Sequence, residues 1–314
     1  MLITTGADVA AQTRAYNRTM AETLATLPTH YELDDPPASR AARARGEGPF
    51  PAPERVAEGQ DRTIPGRSGP VPLRIFTPPV VNGVYLHIHG GGWTLGSAAD
   101  QDLHLWRLAT AAKLAVVSVE YRLAPEHPYP AAPDDCEDAA RWLIAGARQE
   151  FGTDRLTIGG ESAGAHLAAV TLLRLGAQAA AFRAAQLTFG AFDLSMTPSQ
   201  RQWGEYNLLL STPIMAWFYD KFLPGLSAEE RRQPDISPLY ADLSGMPAAR
   251  FVVGTQDPLL DDTLFMAARW EAAGNETTLE VVAEAAHGFL QFPLTVSERE
   301  LVAQEEYLAK AVTD

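Results

Sequence analysis

The sequence contains a single cysteine, Cys136, so no disulfide can form within the chain. Asp135 and Glu137 flank this residue, and neighbouring carboxylates do not help a thiol to ionise. We therefore interpret Cys136 as a small core residue rather than a nucleophile. The N-terminus has neither the basic start nor the continuous apolar core of a signal peptide. Together with the lack of disulfides, this predicts a cytoplasmic protein.

Positive charge and long apolar runs are also scarce. The chain has 25 Lys and Arg residues against 39 Asp and Glu residues, which gives a net charge of −14. Because like charges repel, this balance argues against nucleic acids and anionic membranes as partners. No run of about 18 apolar residues is present, so no membrane-spanning helix is predicted. The 314 residues suffice for one large α/β domain with a lid, or for two domains.

A glycine-rich turn at residues 156–165, Leu-Thr-Ile-Gly-Gly-Glu-Ser-Ala-Gly-Ala, organises the rest of the chain. It contains the pattern G-x-S-x-G between a strand-like apolar run and a helix-forming run. In that context the pattern predicts a nucleophile elbow, a sharp turn that exposes the Ser162 hydroxyl. Gly160 and Gly164 are expected because a Cβ there would collide with the neighbouring strand and helix. The alternative is a structural turn that contains a serine by chance.

Strand-like and helix-like segments alternate along most of the chain. This alternation predicts an α/β fold whose central sheet is mostly parallel, doubly wound and flanked by helices. A hairpin is predicted at residues 61–77, ahead of the alternating segments. The strands that follow are predicted at residues 84–89, 115–121, 156–160, 186–189, 250–254 and 277–282.

Two segments interrupt the alternation. Residues 8–27 carry an apolar stripe at helical spacing ahead of the first strand. Residues 192–240 are rich in large apolar side chains and too long for a simple connection. We therefore predict an N-terminal helical cap segment at residues 1–60 and a catalytic domain at residues 61–314, with a cap insertion at about residues 192–240. A dimer contact is the alternative role for the N-terminal stripe.

Three residues with complementary chemistry each follow a different predicted strand. They are Ser162, Asp257 and His287, in the chain order of a hydrolase triad. In an open parallel sheet, reactive residues gather beyond the carboxyl ends of the strands. A serine hydroxyl is a weak nucleophile that needs a base, and the base needs a group that orients it. We assign Ser162 as the nucleophile, His287 as the base and Asp257 as the acid that orients the base.

The acid assignment has two rivals, Asp261 and Asp262. Both occur where a helix is predicted to start, and aspartate is favoured as a helix N-cap. We therefore expect these two carboxylates to cap that helix. Asp257 follows the strand more directly and is preferred as the triad acid.

The other histidines are expected to have structural roles. His87 and His89 share one strand face and make up half of a metal site. No third ligand has suitable spacing, so no metal is predicted. His166 lies four residues after Ser162 in the predicted elbow helix and is interpreted as a hydrogen-bonded core residue.

Residues 89–92, His-Gly-Gly-Gly, can stabilise the negative charge that develops on the substrate during attack. When a serine attacks a carbonyl group, the developing oxyanion needs preorganised N–H donors. Residues without side chains let the backbone approach that oxygen closely. Such a site combines the N–H of the residue after the nucleophile, here Ala163, with amides of an HGGG-type loop. The alternative is a flexible glycine turn.

Together these motifs resemble the hormone-sensitive-lipase-like esterases, the bacterial family IV of the α/β-hydrolases. The resemblance extends from about residue 61 to the C-terminus. It implies a serine esterase whose cap is built from N-terminal helices and a later insertion. It also implies Gly91, Gly92 and Ala163 as oxyanion donors, and a homodimer. The motifs that carry it are His-Gly-Gly-Gly-Trp at 89–93, Tyr-Arg-Leu-Ala-Pro-Glu at 121–126, Gly-Glu-Ser-Ala-Gly at 160–164, Asp-Pro-Leu at 257–259 and His-Gly-Phe at 287–289.

Two positions in the elbow depart from that family. Glu161 stands where the family usually has Asp or Thr, and Ala165 stands where Gly is frequent. The elbow motif therefore indicates the family rather than one of its subfamilies.

We predict a serine carboxylic ester hydrolase that works through an acyl-enzyme and needs no cofactor. The resemblance implies small-molecule esters with short to medium acyl chains as substrates. An amidase or a lactonase would use the same three residues. A receptor for a small molecule is the alternative from a different class, since the plant gibberellin receptors resemble this family but have lost the catalytic histidine. The presence of His287 favours the enzyme.

The residues that contact the substrate are harder to predict because no motif encodes them. A lid over Ser162 must offer an apolar wall to an acyl chain, and residues 192–240 hold many large apolar side chains. We predict substrate contacts from Trp93, Trp203, Tyr206 and Asn207. If these side chains pack only as core, the N-terminal residues Tyr16 and Met20 are the alternative.

Overall fold

The structure is a computed structural model that describes residues 2–3, 6–48 and 50–313. These residues form one sheet of nine strands. In chain order the strands are β1 (Leu2–Ile3), β2 (Gly59–Gly66), β3 (Gly69–Phe76), β4 (Gly83–Ile88), β5 (Leu114–Val119), β6 (Leu156–Glu161), β7 (Phe182–Thr188), β8 (Ala248–Gln256) and β9 (Thr277–Ala286). Their order across the sheet is β1-β9-β8-β7-β6-β4-β5-β3-β2.

Most of the sheet is parallel, as predicted. All pairings from β1 across to β5 are parallel, whereas β3 pairs antiparallel with both β2 and β5. β5 is buried along its whole length, which is typical of a parallel strand with both faces covered. β2 and β3 form the predicted hairpin, and their pairing continues to Gly66 and Gly69, so the turn between them is only two residues long.

Helices cover both faces of the sheet. In chain order the described residues form α1 (Ala7–Leu24), α2 (His30–Leu33), α3 (Pro36–Ala44), α4 (Asp102–Ala112), α5 (Ala131–Phe151), α6 (Ala163–Leu175), α7 (Pro198–Gln202), α8 (Thr212–Phe222), α9 (Leu260–Ala272) and α10 (Thr295–Thr313). α4 and α10 share one apolar core, and α5, α6 and α9 share another. The doubly wound arrangement is therefore confirmed. None of these helices is long and apolar enough to cross a membrane.

Cys136 lies on α5 and is fully buried. Burial raises the pKa of its thiol well above the ordinary value. The interpretation of Cys136 as a core residue is confirmed.

The N-terminal segment is attached to the rest of the domain at several points. β1 extends the sheet beyond β9, although no strand was predicted ahead of residue 61. On α1, the Asn17 side chain donates a hydrogen bond of 2.7 Å to the Glu284 carbonyl. On α3, Arg40 donates to the Thr94 carbonyl at 2.9 Å and forms an ion pair with Glu126. These contacts hold α3 against the loops that follow β4 and β5.

The segment between β7 and β8 contains α7 and α8 and is anchored by Asp262 of α9. The buried carboxylate accepts hydrogen bonds from two backbone N–H groups and two side chains, namely those of Phe192, Asp193, Thr197 and Gln200. Burial raises the pKa of Asp262 to about 7, although these four bonds act in the opposite direction. Asp261 accepts a further bond of 2.8 Å from the Ser199 N–H.

The prediction that Asp261 and Asp262 cap a helix is wrong. The residue before α9 is Leu259, and no side chain caps this end of the helix. The two carboxylates instead bind the segment that crosses over the start of α9. Its buried N–H groups need acceptors, and only the folded chain brings the two segments together.

Candidate active site

Ser162 lies in the sharp turn between β6 and α6. Its backbone has φ 58° and ψ −122°, which is a strained conformation for a residue with a side chain. The turn is held by the Ser162 N–H, which donates to the Thr188 carbonyl at 3.0 Å. A Cβ on Gly160 or Gly164 would overlap the carbonyl oxygen of Ile88 on the neighbouring strand. The expected reason for both glycines is confirmed, and the turn has the geometry of a nucleophile elbow.

The structure brings Ser162, His287 and Asp257 into one hydrogen-bonded chain. His287 Nε2 lies 2.9 Å from Ser162 Oγ, and His287 Nδ1 lies 2.9 Å from Asp257 Oδ2. The other carboxylate oxygen of Asp257 accepts from the Leu259 N–H at 2.9 Å. The Asp257 side chain is fully buried and that of His287 is 9% exposed. The three predicted residues therefore meet although they are far apart in sequence.

The hydrogen bonds define the tautomer of His287. A carboxylate can only accept, so Nδ1 must donate its proton to Asp257. In the neutral ring Nε2 then carries no proton and accepts from the Ser162 hydroxyl. This is the arrangement that a general base for a serine nucleophile requires.

The loop at residues 90–93, which we call the oxyanion loop, runs beside the nucleophile. Gly91, Gly92 and Trp93 all have positive φ, at 118°, 59° and 58°. A Cβ on Gly90 would lie 3.3 Å from the Ser162 Cβ, so the loop directly abuts the elbow. In the part of the chain that the structure describes, the N–H groups of Gly91, Gly92 and Ala163 donate to no other protein atom. They are free to bind an oxygen that gains negative charge next to Ser162.

A cavity of about 440 Å³ lies over Ser162. Its floor includes the three glycines of the oxyanion loop and His287, and its roof comes from two separate segments. The N-terminal segment contributes at least as much of this roof as the insertion does. The N-terminal lining includes Leu24, Leu27, Pro28, Thr29, His30, Leu33, Ala42, Arg43 and Phe50, and the insertion contributes Asn207, Leu209, Leu210, Ile214 and Phe218.

Only Asn207 of the four predicted substrate contacts lies in the cavity lining. Trp93 is 2% exposed, and its ring stacks on Phe222 with centroids 4.8 Å apart. The Trp203 indole donates to the Tyr206 carbonyl at 2.8 Å, and the Tyr206 side chain is exposed to solvent. The prediction that Trp93, Trp203 and Tyr206 line the cavity therefore needs correction, because packing turns these large rings toward the core or the surface.

The alternative pair, Tyr16 and Met20, also lies outside the cavity lining. Leu24, one turn further along α1, does line it. The amphipathic stripe signalled that α1 faces the domain, but it could not show which turn reaches the cavity. The lining residues of α2 and α8, including Phe218, were not predicted either, because an apolar pattern does not show which side chains of a helix reach the cavity.

The apolar lining divides into two walls that belong to different cores. The histidine wall consists of Leu24, Phe50, Phe189 and Leu209, and the Phe189 ring lies 4.9 Å from the His287 ring. The oxyanion wall consists of Leu95, Leu210, Ile214 and Phe218, and a Cβ on Gly92 would overlap the Phe218 ring. The adjacent residues Leu209 and Leu210 belong to different walls. The backbone between them turns sharply, since Leu209 has a φ of 72°.

The histidines considered as half of a metal site have protein partners. His87 Nδ1 lies 2.9 Å from Ser118 Oγ, and its Nε2 lies 3.2 Å from Glu161 Oε2. His89 Nδ1 donates to the Gly90 carbonyl at 2.8 Å. Within residues 2–3, 6–48 and 50–313, no three His, Cys, Asp or Glu side chains are grouped so that they could hold a metal ion.

Comparison with known proteins identifies the family. A family described by its alpha/beta hydrolase fold matches residues 85–291. The chain belongs to the α/β-hydrolase family. This hydrolase is 35% identical to carboxylesterase NlhH of Mycobacterium tuberculosis over 290 residues, which cover 87% of this chain and 88% of that protein. It is 32% identical to an ethyl acetate hydrolase of Pseudomonas putida over 250 residues, 76% of this chain and 77% of that one.

Solved structures agree with this assignment. The esterase of Pyrobaculum calidifontis is 28% identical to this hydrolase and matches its backbone with a TM-score of 0.82. The match covers 95% of this chain and 98% of that one. The predicted fold and the resemblance to the hormone-sensitive-lipase-like esterases are confirmed.

Proposed function

We propose that this α/β-hydrolase cleaves carboxylic esters through an acyl-enzyme formed on Ser162. The chain is a carboxylic ester hydrolase by its family and by its relatives, which include a carboxylesterase and an ethyl acetate hydrolase. The observation that carries the mechanism is the 2.9 Å contact between Ser162 Oγ and His287 Nε2, beside N–H groups that have no acceptor among the described residues.

The reaction follows from these contacts. Ser162 Oγ attacks the ester carbonyl carbon while its proton passes to His287 Nε2, and the carbonyl oxygen becomes an oxyanion. The N–H groups of Gly91, Gly92 and Ala163 bind that oxygen. The bond to the alcohol oxygen then breaks, and His287 returns the proton to the leaving alcohol. Water then attacks the acyl carbon while its proton passes to His287 Nε2. As the bond between the acyl carbon and Ser162 Oγ breaks, His287 returns this proton to Oγ, and the carboxylic acid leaves.

A fluorophosphonate probe tests this proposal against the receptor alternative. Only a serine activated by a base reacts with such a probe at a useful rate. We expect stoichiometric labelling of Ser162 together with hydrolysis of p-nitrophenyl acetate and butyrate. A protein that binds small molecules but is neither labelled nor active would be a receptor. Parallel assays with a p-nitroanilide and a lactone separate an esterase from an amidase or a lactonase.

We infer from the position of His287 which cavity wall would bind each half of an ester. The alcohol oxygen must receive its proton from His287 Nε2, so the alcohol lies on the side of the histidine wall. The acyl chain then extends along the oxyanion wall, past Phe218. A cavity of about 440 Å³ divided in this way suits short to medium acyl chains.

Substitution of one residue from each wall tests the assignment. We expect Phe218→Ala to raise kcat/KM for p-nitrophenyl octanoate relative to butyrate about tenfold, because the chain gains room beside Gly92. We expect Leu209→Ala to leave that ratio unchanged but to improve acetates of bulky alcohols relative to ethyl acetate. Each variant is the control for the other. If the two effects were exchanged, the acyl and alcohol sides would be reversed.

The roof of the cavity supports the domain division predicted from sequence. Residues 1–60 and the insertion at about 192–240 would together form a cap on the catalytic domain at residues 61–314. A homodimer stays a prediction of the family resemblance, which light scattering coupled to gel filtration tests.

A further inference from the structure

We propose that Glu161 and His166, on either side of Ser162, are positioning residues that hold the two ends of the oxyanion loop. The inference rests on the proposed function, because it concerns how the oxyanion donors are kept in place. Both side chains belong to the elbow region, so the nucleophile and its donors would be fixed as one unit.

Glu161 holds the first residue of the loop. Its Oε1 accepts from the Gly90 N–H at 3.0 Å and also from the Gln101 side-chain amide. Its Oε2 lies 3.2 Å from His87 Nε2. Burial alone would raise the pKa of the Glu161 carboxyl, but His87, the Gly90 N–H and Gln101 together hold it below its ordinary value. An ionised carboxylate satisfies all three donors at once.

His166 holds the last residue of the loop. The Trp93 indole donates to His166 Nδ1 at 3.0 Å, and His166 Nε2 lies 2.8 Å from the Ile236 carbonyl. An indole N–H can only donate and a carbonyl can only accept, so the proton of the neutral ring is on Nε2. Burial lowers the pKa of His166 to about 4, which keeps the ring neutral at neutral pH. The residue that the sequence marked as a hydrogen-bonded core residue thus connects α6 to both the loop and the insertion.

The oxyanion donors Gly91 and Gly92 lie between these two attachments. Thr94 and Leu95 hold the carbonyl groups of Gly91 and Gly92, but the N–H groups that would bind the oxyanion have no such contact among the described residues. Because glycines have the widest choice of backbone conformations, the direction of these N–H groups also depends on how the ends of the loop are held. Trp93 adopts a positive φ that is unfavourable for a residue with a Cβ, and it is held there by the indole bond to His166 and by the Ala124 N–H, which donates to its carbonyl at 2.9 Å. Donors stabilise a transition state best when they need no reorganisation during the reaction. Loosening either end should therefore slow turnover without weakening substrate binding.

Two substitutions of His166 separate the bond to the loop from the bond to the insertion. In His166→Asn the amide oxygen can take the place of Nδ1 and keep the Trp93 bond. In His166→Gln the longer amide can reach the Ile236 carbonyl but leaves Trp93 without its acceptor. We expect His166→Asn to keep kcat within about threefold. We expect His166→Gln to lower kcat about 10- to 100-fold at unchanged KM. The upper end of that range reaches the loss that removal of one oxyanion donor causes.

The other two partners give independent tests. Trp93→Phe removes the indole donor and should lower kcat as His166→Gln does, with no further loss when the two are combined. Glu161→Leu is similar in size but removes both acceptor oxygens, which leaves the Gly90 N–H without its acceptor, and it should also lower kcat. For all of these variants, affinity for a trifluoromethyl ketone, which forms an oxyanion on Ser162, should fall in parallel with kcat/KM. If His166→Gln does not fold, Trp93→Phe and Glu161→Leu provide the test.

Thr171→Val is the matched control on α6, because Thr171 is buried and its hydroxyl has no hydrogen-bond partner among the described residues. It should leave kcat unchanged. The inference is overturned if His166→Asn and His166→Gln lose activity equally, or if ketone affinity does not follow kcat/KM while the melting temperature falls. The proposed function fails in a different way, namely if the wild-type protein hydrolyses no ester or does so without Ser162.

Discussion

Replacement of Ser162 with alanine is expected to lower kcat for p-nitrophenyl butyrate by about a million-fold, to a rate near background. The loss follows from the 2.9 Å contact with His287, because without Oγ no acyl-enzyme can form. Rates measured at saturating ester, with fluorophosphonate labelling in parallel, check the prediction. The variant should bind substrate normally, since the cavity walls are untouched.

Ser244→Ala is the control for this experiment, because Ser244 is exposed and outside the cavity lining. It should retain full activity and full labelling. Residual activity of several per cent in Ser162→Ala would mean that another group attacks the ester, and the acyl-enzyme mechanism would have to be abandoned.

Replacement of Asp257 with asparagine is expected to lower kcat by about 10⁴-fold while the fold stays intact. The Leu259 N–H, 2.9 Å from Asp257 Oδ1, requires an oxygen at that position. The NH₂ group of the asparagine therefore faces His287 Nδ1, which must then act as an acceptor. The ring proton then moves to Nε2. A protonated Nε2 can no longer accept the proton of the Ser162 hydroxyl.

Asp262→Asn is the matched comparison for Asp257→Asn. Among the described residues, the side chains and N–H groups that donate to the Asp262 carboxylate all belong to the insertion. Its substitution should therefore keep most of kcat but lower the free energy of unfolding by about 1–3 kcal/mol. Thermal or denaturant unfolding measures that loss. If Asp262→Asn abolished turnover and Asp257→Asn did not, the acid would be wrongly assigned.

The positions of the triad residues could be predicted because topology alone brings them together. Each follows a parallel strand, and the carboxyl ends of neighbouring parallel strands share one edge of the sheet. The elbow glycines were predictable for a similar reason, since the lack of space beside Ile88 is a property of the backbone.

The cavity could not be predicted in this way because it depends on how side chains pack. Trp203 and Phe218 belong to the same apolar segment, yet only Phe218 lines the cavity. Asp261 and Asp262 looked like helix caps because the approach of the insertion is not visible in their local sequence. The contributions of α2 and α3 to the roof depend on long-range contacts such as that of Arg40.

The two-part roof of the cavity has a consequence for divergence within the family. The roof residues come from segments outside the sheet strands, whereas Ser162, Asp257 and His287 follow β6, β8 and β9. Mutations in the roof can therefore change which ester is accepted while the proton-transfer machinery stays intact. Selection can therefore change the substrate range and the catalytic chemistry at different rates. A mutant library restricted to roof residues would sample new ester specificities while the catalytic residues stay unchanged.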